Sequence, residues 1–520
     1  MNLLIEEWIP VRPLPTGAMK KISLKQLLCG NEAWELCLPR DDMELAAVQL
    51  LICMTQALFT PKDDDELKGR IAKRITSEEY DATIHPCADW FNLNHPKFPF
   101  MQTRKVAASI ITQMDKLFAG LTGAENCCFM NEPGLAAQLC GGCAAIALFN
   151  QATCTPGFGG GFKDPLRGGT PITTLVQGNH LRQTVWLNVL SDSEVARIMP
   201  WHHSTNRQLP TWMEPIQAGT NHAQNIGFVR GLFWQPAHLE LLPPIDVNSF
   251  CSCCGCSIAH GYPGFSKAKF SNYSVENTWP HPHSPRTVEL KKEGTFNSWF
   301  MSFNITAPAW TQLNRFVAQL SPQGKIEGYE PAAVVLQSKK LYGFKAQKLR
   351  LLIGGYVRRK ASIVDRRHEV FTLNHGWDRH TNVINEIVSL GTAYKEAIRV
   401  ALFFFCKGMK DKTHKLKGLG DKIELPKVAV TQFYRRSEPT IENTLACIDF
   451  ENPEPVLTKM RKELRSITEE LFEESVRPYL NDPELMKTMV AVRKIYLRNK
   501  LYDLEPQRDK GGDNGTTETT

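Results

Sequence analysis

Two groups of cysteines constrain this 520-residue chain more than any other feature. The run CGGC supplies Cys140 and Cys143; far downstream, CSCCGC supplies Cys251, Cys253, Cys254 and Cys256. Two C-x-x-C turns can present four thiolates to one tetrahedral zinc ion, and glycine between the first pair permits the turn that aims both sulfurs inward. If the two groups share a metal, distant parts of the chain must meet. Cys251 with Cys254 is the favoured second pair, and Cys253 with Cys256 is the other. Unligated thiols, or a metal on the later cluster by itself, are the competing readings. A four-cysteine site leaves no open coordination position, so its zinc would be structural.

Free thiols require a reducing compartment. The start, MNLLIEEWIPV, places two glutamates and a proline where a secretory leader needs basic and then apolar residues. No apolar run reaches the length of about 18 residues that a membrane span needs. We therefore expect a cytoplasmic protein, no membrane partner and reduced cysteines. Its length allows a large core divided between at least two domains. Net charge is +7, yet 22 Lys and Arg stand against 8 Asp and Glu between Lys339 and Arg436, leaving the remainder net acidic. Such a local excess suits a polyanionic partner, and equally a solvated basic face.

The stretch TPGFGGGFKDPLRGGTP, residues 155 to 171, concentrates glycine. A phosphate-cradling P-loop needs G-x-x-x-x-G-K-[ST], but here Gly161 is followed by Phe162, Lys163 and Asp164. G-x-G-x-x-G is also absent, so nucleotide binding is not expected. Glycines can instead let main chain enter a narrow groove, or simply form a turn. Histidines occur as WHH (His202, His203) and WPHPHSP (His281, His283), where flanking prolines favour structural roles. No H-E-x-x-H, nucleophile elbow or His-acid nuclease pairing accompanies them. Binding is the better expectation, and no enzyme activity is assigned.

The expected fold class is α+β: a large mixed α/β N-terminal domain over 1–378, a C-terminal four-helix bundle over 379–505, and a disordered tail over 506–520. DDMELAAVQLLICMTQALF is a core helix led by Asp41 and Asp42. PITTLVQGNHLRQTVWLNVL reads as two strands, or as a strand and a short helix. TFNSWFMSFNI is strand-like, and AAVVLQS could be either. Beyond 380, three stripes step by three and four residues: Ile384, Ile387, Gly391, Tyr394, Ile398, Ala401, Phe405; then Leu457, Met460, Leu464, Ile467, Leu471; then Leu485, Met489, Val492, Tyr496. Pro453, Pro478 and Pro483 are expected near helix ends, with a Lys-rich loop between the first two helices.

Taken together, WIPVRP, LPRDDMELAA, FPFMQT, CGGCAAIALFNQA, the glycine stretch, GFVRGLFWQPAH, WPHPHSP and NVINEIV resemble the large subunit of the type I-E CRISPR Cascade complex, in order, from residue 1 to about 505. That resemblance implies a non-catalytic subunit that reads the protospacer-adjacent motif (PAM) of target double-stranded DNA and helps separate its strands. It also implies crRNA, other Cascade subunits and the CRISPR helicase–nuclease as partners. Carried onto this chain, it assigns Gly157, Phe158, Gly159, Gly160 and Gly161 to the PAM duplex minor groove. Lys269, with Lys267 next, matches the family's lysine finger. Phe129, Met130 and Asn131 match a loop contacting the crRNA end and the PAM region. The strand-separating hairpin falls on GGYVRRKAS, where the family typically has an amide-rich tip but this chain has Arg358, Arg359, Lys360 and Ala361. Cationic tips favour phosphate contact over amide bonding. The basic excess, Lys407, Lys410, Lys412, Lys415, Lys417, Lys422, Arg435 and Arg436, would then track DNA. A zinc-containing nucleic-acid enzyme and a passive scaffold are the alternatives.

Overall fold

The structure is a computed structural model that describes residues 1–108, 110–119, 136–202, 209–270, 272–292, 294–342, 348–359, 362–410, 415–420 and 422–505. Phe129, Met130, Asn131, Lys360, Ala361, Lys412 and the tail 506–520 lie outside the described residues. The fold is α+β, with strands in separate small sheets rather than one continuous layer. Two compact units divide the chain: Met1–Ile305 with Asn314–Asp378, and Thr306–Leu313 with Arg379–Thr520.

At the centre of the first unit lies the helix Asp41–Leu58, in which every residue from Asp42 onward except Glu44 is buried. A helix buried on nearly all its faces is a core element, and its buried polar side chains need partners. Asp41, Asp42 and Glu44 occupy its first turn, where carboxylates oppose the positive end of the helix dipole. The second helix of interest, Gly141–Thr153, packs against it and is buried from Gly142 to its end. The ambiguous PITTLV segment is a strand, Thr173–Val176, followed by the short helix Leu181–Leu187. That strand pairs antiparallel with Leu351–Gly354 of a long hairpin formed by Leu349–Arg359 and Ser362–Leu373. AAVVLQS is helical from its second residue, within Ala333–Tyr342, and Phe296–Phe300 is a strand.

A polar network occupies the same core. Arg167, only 2% exposed, donates to the Thr153 carbonyl at 3.0 Å, Thr173 Oγ1 at 3.0 Å, Ser284 Oγ at 2.9 Å, Gln49 Oε1 at 3.2 Å and Cys154 Sγ at 3.1 Å. Gln49 Nε2 in turn lies 3.1 Å from His283 Nδ1. Buried polar groups persist when bonded in this way. Burial, reinforced by the nearby Arg167 charge, pushes His283 down to about 3 and lowers His281 as well.

In the second unit, Thr381–Lys407, Leu425–Cys447, Glu454–Val476 and Pro483–Val492 pack together as helices. Every residue of the first stripe is buried. In the second, Ile467 is only half-buried and Thr468 lies in the interior instead. The third departs further. Wider π turns over Arg493–Arg498 add a residue to the period, so Leu497 and Leu501 enter the core while Tyr496 stacks on Phe404 at 3.9 Å. Pro453 caps one helix and Pro483 begins another, while Pro439 lies inside Leu425–Cys447. Trp310, from Thr306–Leu313, is fully buried with its ring against Gly391.

The buried histidines set an acid limit. Their folded-state pKa values lie below the unfolded value of 6.5, so the unfolded chain binds more protons as pH falls toward 3. Stability is full above about 6.5 and declines below it, by up to ~1.4 kcal/mol per pH unit for each histidine. Urea unfolding from pH 7 to 4 should show this slope, and His283→Asn should reduce it. An unchanged slope contradicts the assignment.

Candidate functional site

Cys140 is the N-cap of the Gly141–Thr153 helix, its sulfur accepting from the Cys143 amide at 3.5 Å. Its own amide donates to Cys251 Sγ at 3.3 Å, and its sulfur lies 3.9 Å from Cys254 Sγ. All four sulfurs of Cys140, Cys143, Cys251 and Cys254 lie within 4.8 Å of one another and are buried. Around a zinc ion with bonds of about 2.3 Å, tetrahedral sulfurs stand ~3.8 Å apart, so this donor set fits such an ion. The pair brought to Cys140 and Cys143 is therefore Cys251 with Cys254.

Electrostatics agree with that geometry. Cys140, Cys143 and Cys254 donate to Cys251 and lower its pKa, whereas Cys143 is pushed up by its bond to Cys140 and by the other thiols. One thiolate is tolerated; more in this dry space require a cation. Burial would lower the Lys21 ammonium, but the Cys140 and Cys254 sulfurs outweigh it and hold it raised.

The glycine loop follows the same helix. Phe162 N–H donates to the Gly159 carbonyl at 3.0 Å, closing a turn whose central residues, Gly160 and Gly161, have φ of +50° and +91°. Positive φ at both positions is the type I′ pattern, which glycine adopts without strain. A Cβ at Gly159 or Gly160 would meet nothing, so one side of the turn is open. On Gly161 it would lie 3.1 Å from Lys269 Nζ. Lys267 and Lys269 are carried on the strand Gly264–Lys269, paired antiparallel with Ala237–Leu241. Lys267 Nζ sits 4.6 Å from the Phe158 ring centroid and Lys269 Nζ 6.0 Å from that of Phe162. Burial, then the neighbouring Lys116 charge, lowers the Lys267 pKa.

The long hairpin arrives at this loop. Arg358 lies 3.7 Å from Asp164, whose Oδ1 accepts the Gly157 N–H at 3.0 Å. Gly169 leaves the room: a Cβ there would lie 2.7 Å from the Arg358 guanidinium. Thus Gly157–Gly161, Lys267, Lys269 and Arg358 come together, with exposed Arg359 at the end of the same strand. Sequence reasoning missed Asp164 and Arg167. Both stood inside the quoted glycine stretch, but no spacing rule marks their partners.

A family model for CRISPR-associated protein Cse1 matches residues 2–471. The chain belongs to the Cse1 family. Its fold is also that of solved relatives. Cse1 from Acidimicrobium ferrooxidans has 17% identity over 97% of this chain and 98% of that one, with a TM-score of 0.71. Thermobifida fusca Cse1 has 16% identity over 97% and 98%, with a TM-score of 0.71. A chain of a CRISPR RNA-guided surveillance complex has 14% identity over 95% and 99%, with a TM-score of 0.62.

Several basic residues of this Cse1-family chain are already engaged. Lys417 pairs with Asp482 at 2.7 Å and Arg436 with Glu474 at 2.7 Å, while Lys407 lies 5.4 Å from the Phe403 ring centroid. Lys415, Lys422 and Arg435 are exposed. Lys410 belongs to a short strand, Met409–Lys410, paired with Lys415–Leu416, so the Lys-rich loop is partly a hairpin. Among the described residues, no helix is long and apolar enough to cross a membrane.

Proposed function

We propose that this Cse1-family chain is the DNA-reading subunit of an RNA-guided Cascade complex. It recognises the PAM of foreign double-stranded DNA, begins strand separation and promotes R-loop formation. The observation that carries this reading is the open glycine turn beside Lys267, Lys269 and the end of the long hairpin. Main-chain N–H groups without side chains can approach minor-groove acceptors, and a neighbouring ammonium supplies a further donor. The minor groove offers a degenerate pattern, so readout would be tolerant; guide pairing reads the rest of the target. Partners are the crRNA, other Cascade subunits and the helicase–nuclease that the opened target would recruit. Phe129, Met130 and Asn131 would face the crRNA end and the PAM region. The same reading assigns Lys360 and Ala361, with Arg358 and Arg359, to DNA strand separation.

The role is binding rather than catalysis. His281 and His283 are buried in the core and held neutral, which suits structure more than proton transfer. Lys415, Lys422 and Arg435 are the best placed of the basic set to track phosphates, because Lys417 and Arg436 already have carboxylate partners. In this reading the four cysteines hold a structural zinc that braces the strand bearing Lys267 and Lys269.

In the assembled complex, Lys269→Ala and Gly160→Asn should each weaken capture of PAM-bearing duplex by about 10- to 100-fold. Asparagine tolerates the left-handed backbone at Gly160, so the fold should survive. Binding to a pre-opened target should change little. Equal losses on both substrates contradict the reading.

Protein purified without chelator should contain zinc by metal analysis. Cys251→Ser should abolish it and destabilise the chain by at least ~2 kcal/mol in urea unfolding. A metal-free wild-type chain, or a fully stable variant, contradicts the zinc assignment.

A further inference from the structure

The hairpin ending at Arg359 has a fastening some way behind its tip. Tyr356, on the Leu349–Arg359 strand, is 2% exposed and donates its hydroxyl proton to Asp42 Oδ2 at 2.9 Å. The same hydroxyl accepts Asn150 Nδ2 at 2.7 Å, from the Gly141–Thr153 helix. Asp42 also takes two bonds from Arg40, at 3.0 and 2.7 Å, and the Met43 amide at 2.9 Å. Arg366 is the cross-strand partner of Tyr356 on the returning strand. Its guanidinium lies 3.3 Å from Asp41 and 3.6 Å from Asp42. Both members of one cross-strand pair therefore close on the first turn of the Asp41–Leu58 helix.

Beyond this clamp the character of the hairpin changes. Pairing shifts register between Val357 and Arg358, where a bulge bends the strand and increases its twist. Arg358 then turns to Asp164 beside the glycine loop, and Arg359 is exposed. The tip is thus a short lever of roughly 10 Å, at about 3.3 Å per residue, standing on a buried hydrogen-bonded base. Small errors at the base become displacements at the end. Burial, and then Asp42, keep the phenol protonated, so its donor stays committed to the carboxylate.

We propose that Tyr356 is the positioning residue of the strand-separating hairpin: its hydroxyl, held between Asp42 and Asn150, sets where the Arg358–Arg359 end stands relative to the glycine loop. This rests on the reading that the hairpin opens duplex DNA. Tyr356 touches no DNA in this account; it acts through the strand it anchors. Removing the hydroxyl keeps the ring in its packing but leaves Asn150 without its acceptor and Asp42 without one donor. The strand can then rotate about the bulge.

The test uses the fully assembled complex with its guide and a target carrying a fluorescent adenine analogue just beyond the PAM. Tyr356→Phe should slow opening by between about 10- and 100-fold, the usual scale for a misplaced functional group. Capture of PAM duplex lacking guide complementarity should stay within about twofold. A pre-opened target should restore full R-loop formation. Asn150→Ser, which keeps ring and carboxylate, should give a smaller loss in the same direction. Equal loss of capture and opening would show a general structural role and overturn the proposal, as would wild-type opening by Tyr356→Phe. Arg359→Ala separates the two levels. If it slows opening while Tyr356→Phe does not, only the positioning role fails; if neither slows opening, the wedge reading itself fails.

Discussion

The sulfur of Cys140 caps the Gly141–Thr153 helix and, with Cys143, meets Cys251 and Cys254 from a turn far along the chain. Much of the candidate site depends on that junction. The helix it starts carries Asn150 to Tyr356 and ends where the Thr153 carbonyl receives Arg167. Immediately beyond lies the glycine turn. The cysteine turn is tied back by Ser252 N–H to the Gln138 carbonyl at 2.9 Å, and it precedes the strand bearing Lys267 and Lys269. One rigid rod, pinned at its start, therefore links a four-cysteine cluster, an open backbone turn and the base of a hairpin.

Two kinds of polar burial support this arrangement. Around Arg167 the charge is spread over acceptors from Gln49, Thr153, Cys154, Thr173 and Ser284, which binds separate segments without a compensating carboxylate among those contacts. Around Asp42 a carboxylate is surrounded by Arg40, Arg366 and Tyr356. Such networks are directional, and a misplaced member leaves a buried group unmet at a cost of ~1–3 kcal/mol. They fix angles that apolar packing would leave softer. In contrast, the glycine turn presents open space on its outer side.

The sequence carries these parts unevenly. Paired cysteines were legible because metal geometry demands both a residue type and a spacing, and the structure gathers the favoured four. Helical stripes were legible where the period held, as from Ile384 to Phe405. They misled at Tyr496, since a π turn leaves no mark in a hydrophobic pattern. Charge counting identified a basic region but not which members were engaged: Asp482 and Glu474, which pair with Lys417 and Arg436, lie outside the counted stretch. Asp164 with Arg358 and Asp42 with Tyr356 follow no periodicity at all. Each unites residues far apart in sequence, and only the folded chain shows the pair.

The central claim is that a glycine turn, two lysines and an anchored hairpin form one reader of duplex DNA. The most direct measurement is competition binding of the assembled complex to a library of duplexes that differ only in the bases flanking a constant guide-matched segment. The account predicts preference confined to a few positions beside that segment, tolerant of several sequences at each, as minor-groove readout allows. A flat profile across the library, with affinity governed by the guide match alone, would contradict it.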